Sequence, residues 1–305
     1  MFLNILSRQK AVAFISTHAR PLERARYAFH FTQGSAGAVL AALAEYQNAD
    51  GGFGHGLEPD FRLPASSAIC TSIALQVLRA VGAPGDSALV TGALRYLRAT
   101  FDEARRAWPI IPANDNSAPH APWWNYAHDI AQSWNNFQAN PRAEIVGYLY
   151  AYTNQLPTSW LAALGDAVLT WLDGRETLEM HDLLCYMRLM EAEGLPEEMR
   201  RTLITRLRPC VEHAVTRDPA QWGGYCLQPL QVVTSPDSPF YAQFAGVVAD
   251  NLDYLIARQT PDGYWPTTWA WDTFPDVWPL AEREWQGVLT LDALRTLQKF
   301  ERLKG

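Results

Sequence analysis

Three residues whose side chains can transfer protons lie close together early in the chain: His55, Glu58 and Asp60. They belong to the stretch of residues 47–60, QNADGGFGHGLEPD, which connects two predicted helices. Its glycines permit turns and close backbone approaches that other residues resist. We predict Glu58 or Asp60 as a general acid oriented by His55. The alternative is structural, with the acids capping the next helix or pairing with Arg62.

The same three side chains could also be considered as metal ligands. The spacing H-x-x-E-x-D matches no strong metal-binding pattern. We therefore predict neither a metal nor a cofactor.

A second histidine precedes a rigid aromatic segment, HAPWWNY, which starts at His120. The histidine is a candidate catalytic residue, and the tryptophans could form one wall of a cavity. The alternative is a surface loop anchored by its aromatic side chains. The substrate-binding candidates in this segment and the first loop are Phe53, Trp123, Trp124, Asn125 and Tyr126.

Two further groups could bind a substrate. Asn140 and Arg142 open a predicted helix, whose free amides favour anions, although Glu144 could instead close a cap with Asn140. The second group is a late loop rich in tryptophan, where aromatic faces can stabilise cations or stack on sugar rings; packing between repeats is its structural alternative. Its candidates are Trp265, Trp269, Trp271 and Asp272.

Apolar periodicity predicts an all-α chain of roughly ten to twelve helices. The predicted helices cover residues 8–19, 24–31, 35–46, 66–81, 87–100, 141–153, 158–172, 178–193, 196–215, 240–259 and 281–303. Ser66 is the predicted N-cap of the fourth helix, and Asp86 is the predicted cap of the fifth. Long loops at 108–124, 223–239 and 260–279 alternate with short turns. Such alternation is typical of helical hairpins stacked in a ring or solenoid.

The composition excludes several classes of protein. A net charge of −7 and only three lysines argue against a nucleic acid partner. No apolar run is long enough to span a membrane, and the N-terminus does not resemble a signal peptide. The four cysteines form no C-x-x-C pair, which indicates reduced thiols in a cytoplasmic protein.

One sequence pattern occurs twice. Residues 47–53, QNADGGF, match residues 259–265, QTPDGYW, and residues 218–225 are a looser variant. The form Q-x-x-D-G-x-(F/W) after a helix resembles the repeat of the terpenoid cyclase and protein prenyltransferase superfamily. The resemblance implies an α/α toroid, an (α/α)6-like barrel of helical hairpins. Glu58-Pro59-Asp60 bears a weaker likeness to the Glu-Pro box of linalool dehydratase/isomerase, with Leu57 where that enzyme has cysteine.

The resemblance carries a scaffold more than an activity, because the D-x-D-D and D-D-x-x-D boxes of the cyclases are absent. We expect one domain over residues 1–305 with an aromatic-lined cavity. The leading hypothesis is acid–base chemistry (cyclisation, isomerisation or dehydration) on a small apolar, isoprenoid substrate. A carbohydrate-active hydrolase, lyase or epimerase and a non-catalytic binding toroid are the alternatives.

Overall fold

The computed structural model describes residues 1–114, 116–126 and 139–304. Within these ranges the secondary structure consists of helices, turns and isolated β-bridges, so the all-α prediction is confirmed. None of the described helices is both long and apolar enough to cross a bilayer. The chain divides into two compact units: a terminal unit (Met1–Ala42 with Val215–Gly305) and a central unit (Leu43–Ala214).

The helices of the terminal unit come from both ends of the chain. They are α1 (Ile5–His18), α2 (Pro21–Phe31), α10 (Pro229–Val232), α11 (Tyr241–Ala257) and α12 (Trp278–Lys299). Helices α1, α2 and α12 pack on one another, and α10 packs on α11. Helix α3 (Ala36–Ala44) crosses from this unit into the next.

The central unit is arranged around one helix that is buried along its length. Its helices are α4 (Ala68–Ala80), α5 (Ala88–Thr100), α6 (Arg142–Ala151), α7 (Thr158–Leu172), α8 (Met180–Met190) and α9 (Glu197–Ala214). Helix α6 packs against α4, α7 and α8, and every residue from Arg142 to Tyr150 is buried. A helix with no solvent face must satisfy its polar side chains internally.

Sequence patterning located the helices more accurately than their caps. The prediction for α7, residues 158–172, coincides with the observed helix. Ser67, one residue after the predicted Ser66, accepts the Cys70 amide and caps α4. The expectation that Asp86 caps α5 is wrong, because the Ser87 hydroxyl accepts the capping bond. The short helix α10 within the predicted loop 223–239 was missed.

The first copy of the repeated motif forms a side-chain clasp in the central unit. The side-chain amide of Gln47 donates to the Gly51 carbonyl at 2.9 Å and to the Leu89 carbonyl in the first turn of α5 at 3.1 Å. The Phe53 amide donates to Thr71 Oγ1 at 3.1 Å, and the Phe53 ring is fully buried. The glutamine therefore fixes the turn to a neighbouring helix.

The second copy repeats these bonds in the terminal unit. The side-chain amide of Gln259 donates to the Gly263 carbonyl and to the Ser7 carbonyl in the first turn of α1, both at 2.9 Å. The Trp265 amide donates to Thr290 Oγ1 at 3.1 Å, and its ring is buried. The sequence similarity thus corresponds to the same local structure, one copy in each unit.

Each clasp depends on a glycine with positive φ that meets another backbone. A Cβ on Gly51 (φ 94°) would lie 2.3 Å from the Gly92 carbonyl oxygen, and one on Gly263 (φ 98°) 2.4 Å from the Lys10 carbonyl carbon. Gly82 also has positive φ (65°), but a Cβ there would meet nothing within 4 Å.

We predict that Gly51→Ala and Gly263→Ala each lower the free energy of unfolding by about 3 kcal/mol, because strain and clash combine. Gly82→Ala is the matched control and costs about 1 kcal/mol through its φ alone. Urea denaturation measures all three variants. Equal losses at all three positions would show that backbone contact at the clasps contributes nothing.

Candidate active site

Two acidic side chains of the first loop are withdrawn from solvent. Glu58 is 7% exposed and Asp60 is 3% exposed, although both lie in irregular backbone between α3 and α4. The loop is fixed by its own bonds, which include His55 N to the Leu63 carbonyl and Phe61 N to the Glu58 carbonyl. The loop therefore holds these carboxyl groups away from bulk water. Electrostatic interactions are stronger in such an environment than in water.

Backbone pairing joins this loop to the segment that contains His120. The Arg62 amide donates to the Pro119 carbonyl at 3.0 Å, and the Ala121 amide donates to the Asp60 carbonyl at 2.8 Å. Phe61 and His120 therefore face each other in an antiparallel bridge, with Cα atoms ~5 Å apart. The two segments that contain the sequence-predicted catalytic residues, which are 60 positions apart between Asp60 and His120, are thus joined by their backbones.

His120 is 6% exposed, and a backbone contact fixes its tautomer. Its Nδ1 lies 2.7 Å from the Ala118 carbonyl oxygen, which can only accept a hydrogen bond. Nδ1 therefore carries the hydrogen, and in the neutral ring Nε2 has the lone pair. This arrangement gives His120 a proton-accepting atom in a buried environment.

The aromatic residues after His120 divide between the interior and the surface. Trp124 is buried, with its ring centroid 5.8 Å from that of Phe61. Trp123 is 44% exposed, and Asn125 is also exposed. Tyr126 exchanges two hydrogen bonds with Asn116, which pin the end of this segment. Trp124 is therefore the tryptophan of this segment that packs against the loop of Glu58 and Asp60.

His55 does not join the buried groups. Its side chain is exposed, its φ is 55°, and its Nε2 lies 2.8 Å from Asn48 Oδ1. Asn48 in turn donates to Ser66 Oγ, and Ser66 donates to Asp50 Oδ1. His55 thus belongs to the polar network that closes the glycine-rich turn, whereas orientation of Glu58 or Asp60 was its predicted role.

A second buried carboxylate, Glu144 on α6, has a complete set of partners. It accepts hydrogen bonds from Ser72, from Gln76 at 3.2 Å and from Arg188 at 2.6 Å. The alternative in which Glu144 caps with Asn140 is therefore wrong. Burial and then the nearby Glu144 charge hold the pKa of the Cys185 thiol well above its usual range. This cluster joins α4, α6 and α8 and has a structural role.

Sequence reasoning missed three members of this cluster, Ser72, Gln76 and Arg188. A signal was present, because Ser72 and Gln76 lie four residues apart on a predominantly apolar helix. Polar residues at that spacing share one helix face and require a partner when the face is buried.

The beginning of α6 contributes one buried cation and one engaged amide. Arg142 is buried, and desolvation lowers its pKa to about 9. The Asn140 backbone amide donates to Asp182 Oδ1 at 2.8 Å, and its side-chain oxygen accepts from the Cys185 thiol at 3.7 Å. Asn140 is thus committed to contacts with α8.

The predicted tryptophan group lies in the terminal unit. Trp265 is part of the second clasp, and its indole donates to the Leu255 carbonyl at 2.7 Å. Trp269 packs edge-on against Trp285 with centroids 5.3 Å apart, and its indole nitrogen is buried without a hydrogen-bond acceptor among the described residues. Trp271 is buried against Trp278, and Asp272 is exposed.

A groove of about 650 Å³ in the central unit lies away from these residues. It is formed by the C-terminal ends of α4 and α6 and the start of α5, and Arg79 and Tyr152 line it. The loop with Glu58 and Asp60 precedes the other end of α4, about 20 Å along the helix axis. The groove contains no sequence-predicted site residue.

Comparison with known proteins adds no assignment. No protein-family model matches the chain, and no curated protein matches it either.

The structural role of Glu144 can be tested by removing its charge. We predict that Glu144→Gln lowers the free energy of unfolding by about 2 kcal/mol, because Arg188 and Ser72 lose a charged acceptor. Glu198→Gln breaks the exposed pair with Arg201 and should cost less than about 0.5 kcal/mol. Denaturant titration of both variants distinguishes them. If both variants lose a similar, small amount of unfolding free energy, the structural role of the Glu144 cluster is contradicted.

Proposed function

We propose that this chain is an enzyme that carries out acid–base chemistry at the site formed by Glu58, Asp60 and His120. The observation that carries the proposal is their joint burial on two irregular loops held together by backbone pairing. Burying ionisable groups costs free energy that packing alone does not require. The proposal includes an α/α toroid as the scaffold, a cytoplasmic location and no cofactor.

The proposed roles follow from what each group can donate or accept. Glu58 or Asp60, in its protonated form, donates a proton to a double bond or hydroxyl oxygen of the substrate. His120 Nε2 or the second carboxylate accepts a proton from the neighbouring carbon. The two proton transfers together give an isomerisation or a cyclisation. They give a dehydration if the protonated hydroxyl leaves as water. Trp124 and Phe61 present aromatic rings that stabilise developing positive charge.

We propose a small apolar, isoprenoid substrate for this chemistry. Two facts support the choice: the repeated Q-x-x-D-G motif resembles that of isoprenoid enzymes, and its two copies share one structure. Aromatic packing around Phe61 and Trp124 suits a hydrocarbon chain.

A carbohydrate-active enzyme is the second candidate. The burial of Arg142 favours it, because a site for a polar ligand requires hydrogen-bonding groups beside its aromatic rings. A buried guanidinium suits the carboxylate or hydroxyl groups of a sugar better than a hydrocarbon.

The two candidates can be separated with purified protein and two substrate panels. One panel contains isoprenoid alcohols and prenyl diphosphates, and the other contains neutral and acidic oligosaccharides, with products followed by mass spectrometry. We expect turnover in the isoprenoid panel. Turnover only of sugars supports the second candidate, and retention of a ligand without turnover in either panel contradicts an enzyme.

Once a substrate is found, Glu58→Gln, Asp60→Asn and His120→Gln test the roles. We predict that kcat falls about 100-fold or more in His120→Gln and in at least one of the acid variants, with melting temperatures recorded alongside. Glu45→Gln changes an exposed acid just before the same loop and should leave kcat unchanged. Full activity in three folded variants rules out this site.

A further inference from the structure

Two packed helices of the terminal unit present basic residues to each other. Arg26 and His30 lie four positions apart on α2, and Arg295 and Lys299 lie four positions apart on α12. Residues at this spacing share a helix face, and α2 packs against α12. The result is a cluster of four basic side chains in a protein whose net charge is −7.

The nearby acids leave this cluster with excess positive charge. Asp292 lies 3.8 Å from Arg26 and 3.9 Å from Arg295, which is too far for hydrogen bonds. Glu23 is 3.7 Å from Arg26 but accepts two short bonds, at 2.7 and 2.9 Å, from Arg20. Asp292 and Glu23, the latter also bonded to Arg20, are therefore the carboxylates beside the cations Arg26 and Arg295.

Two polar atoms of the cluster are buried without a hydrogen-bond partner among the described residues. They are Arg26 Nε and His30 Nε2. Arg26 is only 13% exposed, and its contacts with Glu23 and Asp292 do not involve Nε. More than nine in ten buried polar groups in native proteins are satisfied, so two orphan atoms on adjacent turns of one helix suggest a missing acceptor.

The other three basic side chains of the cluster act electrostatically on His30. Burial and then the charges of Arg295, Arg26 and Lys299 lower the pKa of His30 to about 4. Burial also lowers the pKa of Arg295, and Asp292 only partly opposes this effect. An anion placed among these groups would relieve their mutual repulsion.

We propose that Arg26, His30, Arg295 and Lys299 form a binding site for a phosphate-type oxyanion. The Nε–H of Arg26 and an Nε2–H of His30 donate to its oxygens, and Arg295 and Lys299 balance its charge. An oxyanion matches the net positive charge that Arg26, Arg295 and Lys299 keep beside Asp292 and Glu23. The site accepts free phosphate or the phosphate group of a small molecule, and it does not depend on the acid–base chemistry proposed above.

The first experiment follows the ring protons of His30 by NMR in the unmodified protein. The pH titration is repeated with sodium sulfate, which stays a dianion where histidine titrates, and with sodium chloride at equal ionic strength. Sulfate is expected to raise the pKa of His30 by at least about one unit more than chloride does. Equal effects of the two salts would reduce the result to screening and overturn the site.

The second experiment measures affinity by calorimetry for inorganic phosphate, glycerol phosphate and acetate. Arg26→Gln and Arg295→Gln should each weaken phosphate binding roughly 10-fold or more, because each removes charge-assisted bonds. Arg24→Gln removes an exposed arginine from the same helix and should leave affinity unchanged. Tighter binding of glycerol phosphate identifies a phosphate ester as the ligand, and tighter binding of inorganic phosphate identifies the free ion.

Three outcomes of the second experiment would also overturn the proposal. They are no saturable binding of either phosphate, acetate binding as tightly as phosphate, and equal losses in Arg24→Gln and Arg26→Gln. Because the first experiment uses the unmodified protein, a variant that fails to fold does not prevent a decision.

Discussion

The candidate site depends on two backbone hydrogen bonds between irregular segments, Arg62 to Pro119 and Ala121 to Asp60. Both segments are irregular where they pair, with a single β-bridge between them. Their pairing satisfies backbone groups that would otherwise be buried alone. It also sets His120 opposite Phe61, so the buried acids and the histidine lie on joined loops. This pairing is what joins the segment of Asp60 to the segment of His120.

The glutamine clasp explains how so irregular a loop can hold a fixed position. Gln47 holds the turn to the first turn of α5, and Phe53 anchors the following backbone to α4. The same clasp at Gln259 leads into a tryptophan-rich loop whose aromatic rings pack on α12. One local device therefore supports a polar loop in one unit and an aromatic loop in the other.

The sequence predicted what depends on local periodicity and turn chemistry. Helix α7 and the turn at Gly51 follow from apolar spacing and from the Asp-Gly pair. Helix caps were predicted less accurately, because adjacent polar residues such as Asp86 and Ser87 can each occupy the N-cap position. The pairing of Phe61 with His120 could not be predicted, because it joins two loops without periodicity. The exposure of His55 likewise depends on its bond to Asn48, which only the folded turn reveals.

Hydrogen exchange of two backbone amides tests this account most directly. The account predicts that the backbone amides of Arg62 and Ala121 exchange only when the paired loops open. Their exchange rates should be orders of magnitude slower than that of the amide of exposed Ala49, which lies on the same loop as Arg62. Protection of both amides would show that the two segments are paired in solution. Exchange as fast as at Ala49 would show that the loops are separate and would remove the structural basis of the acid–base site.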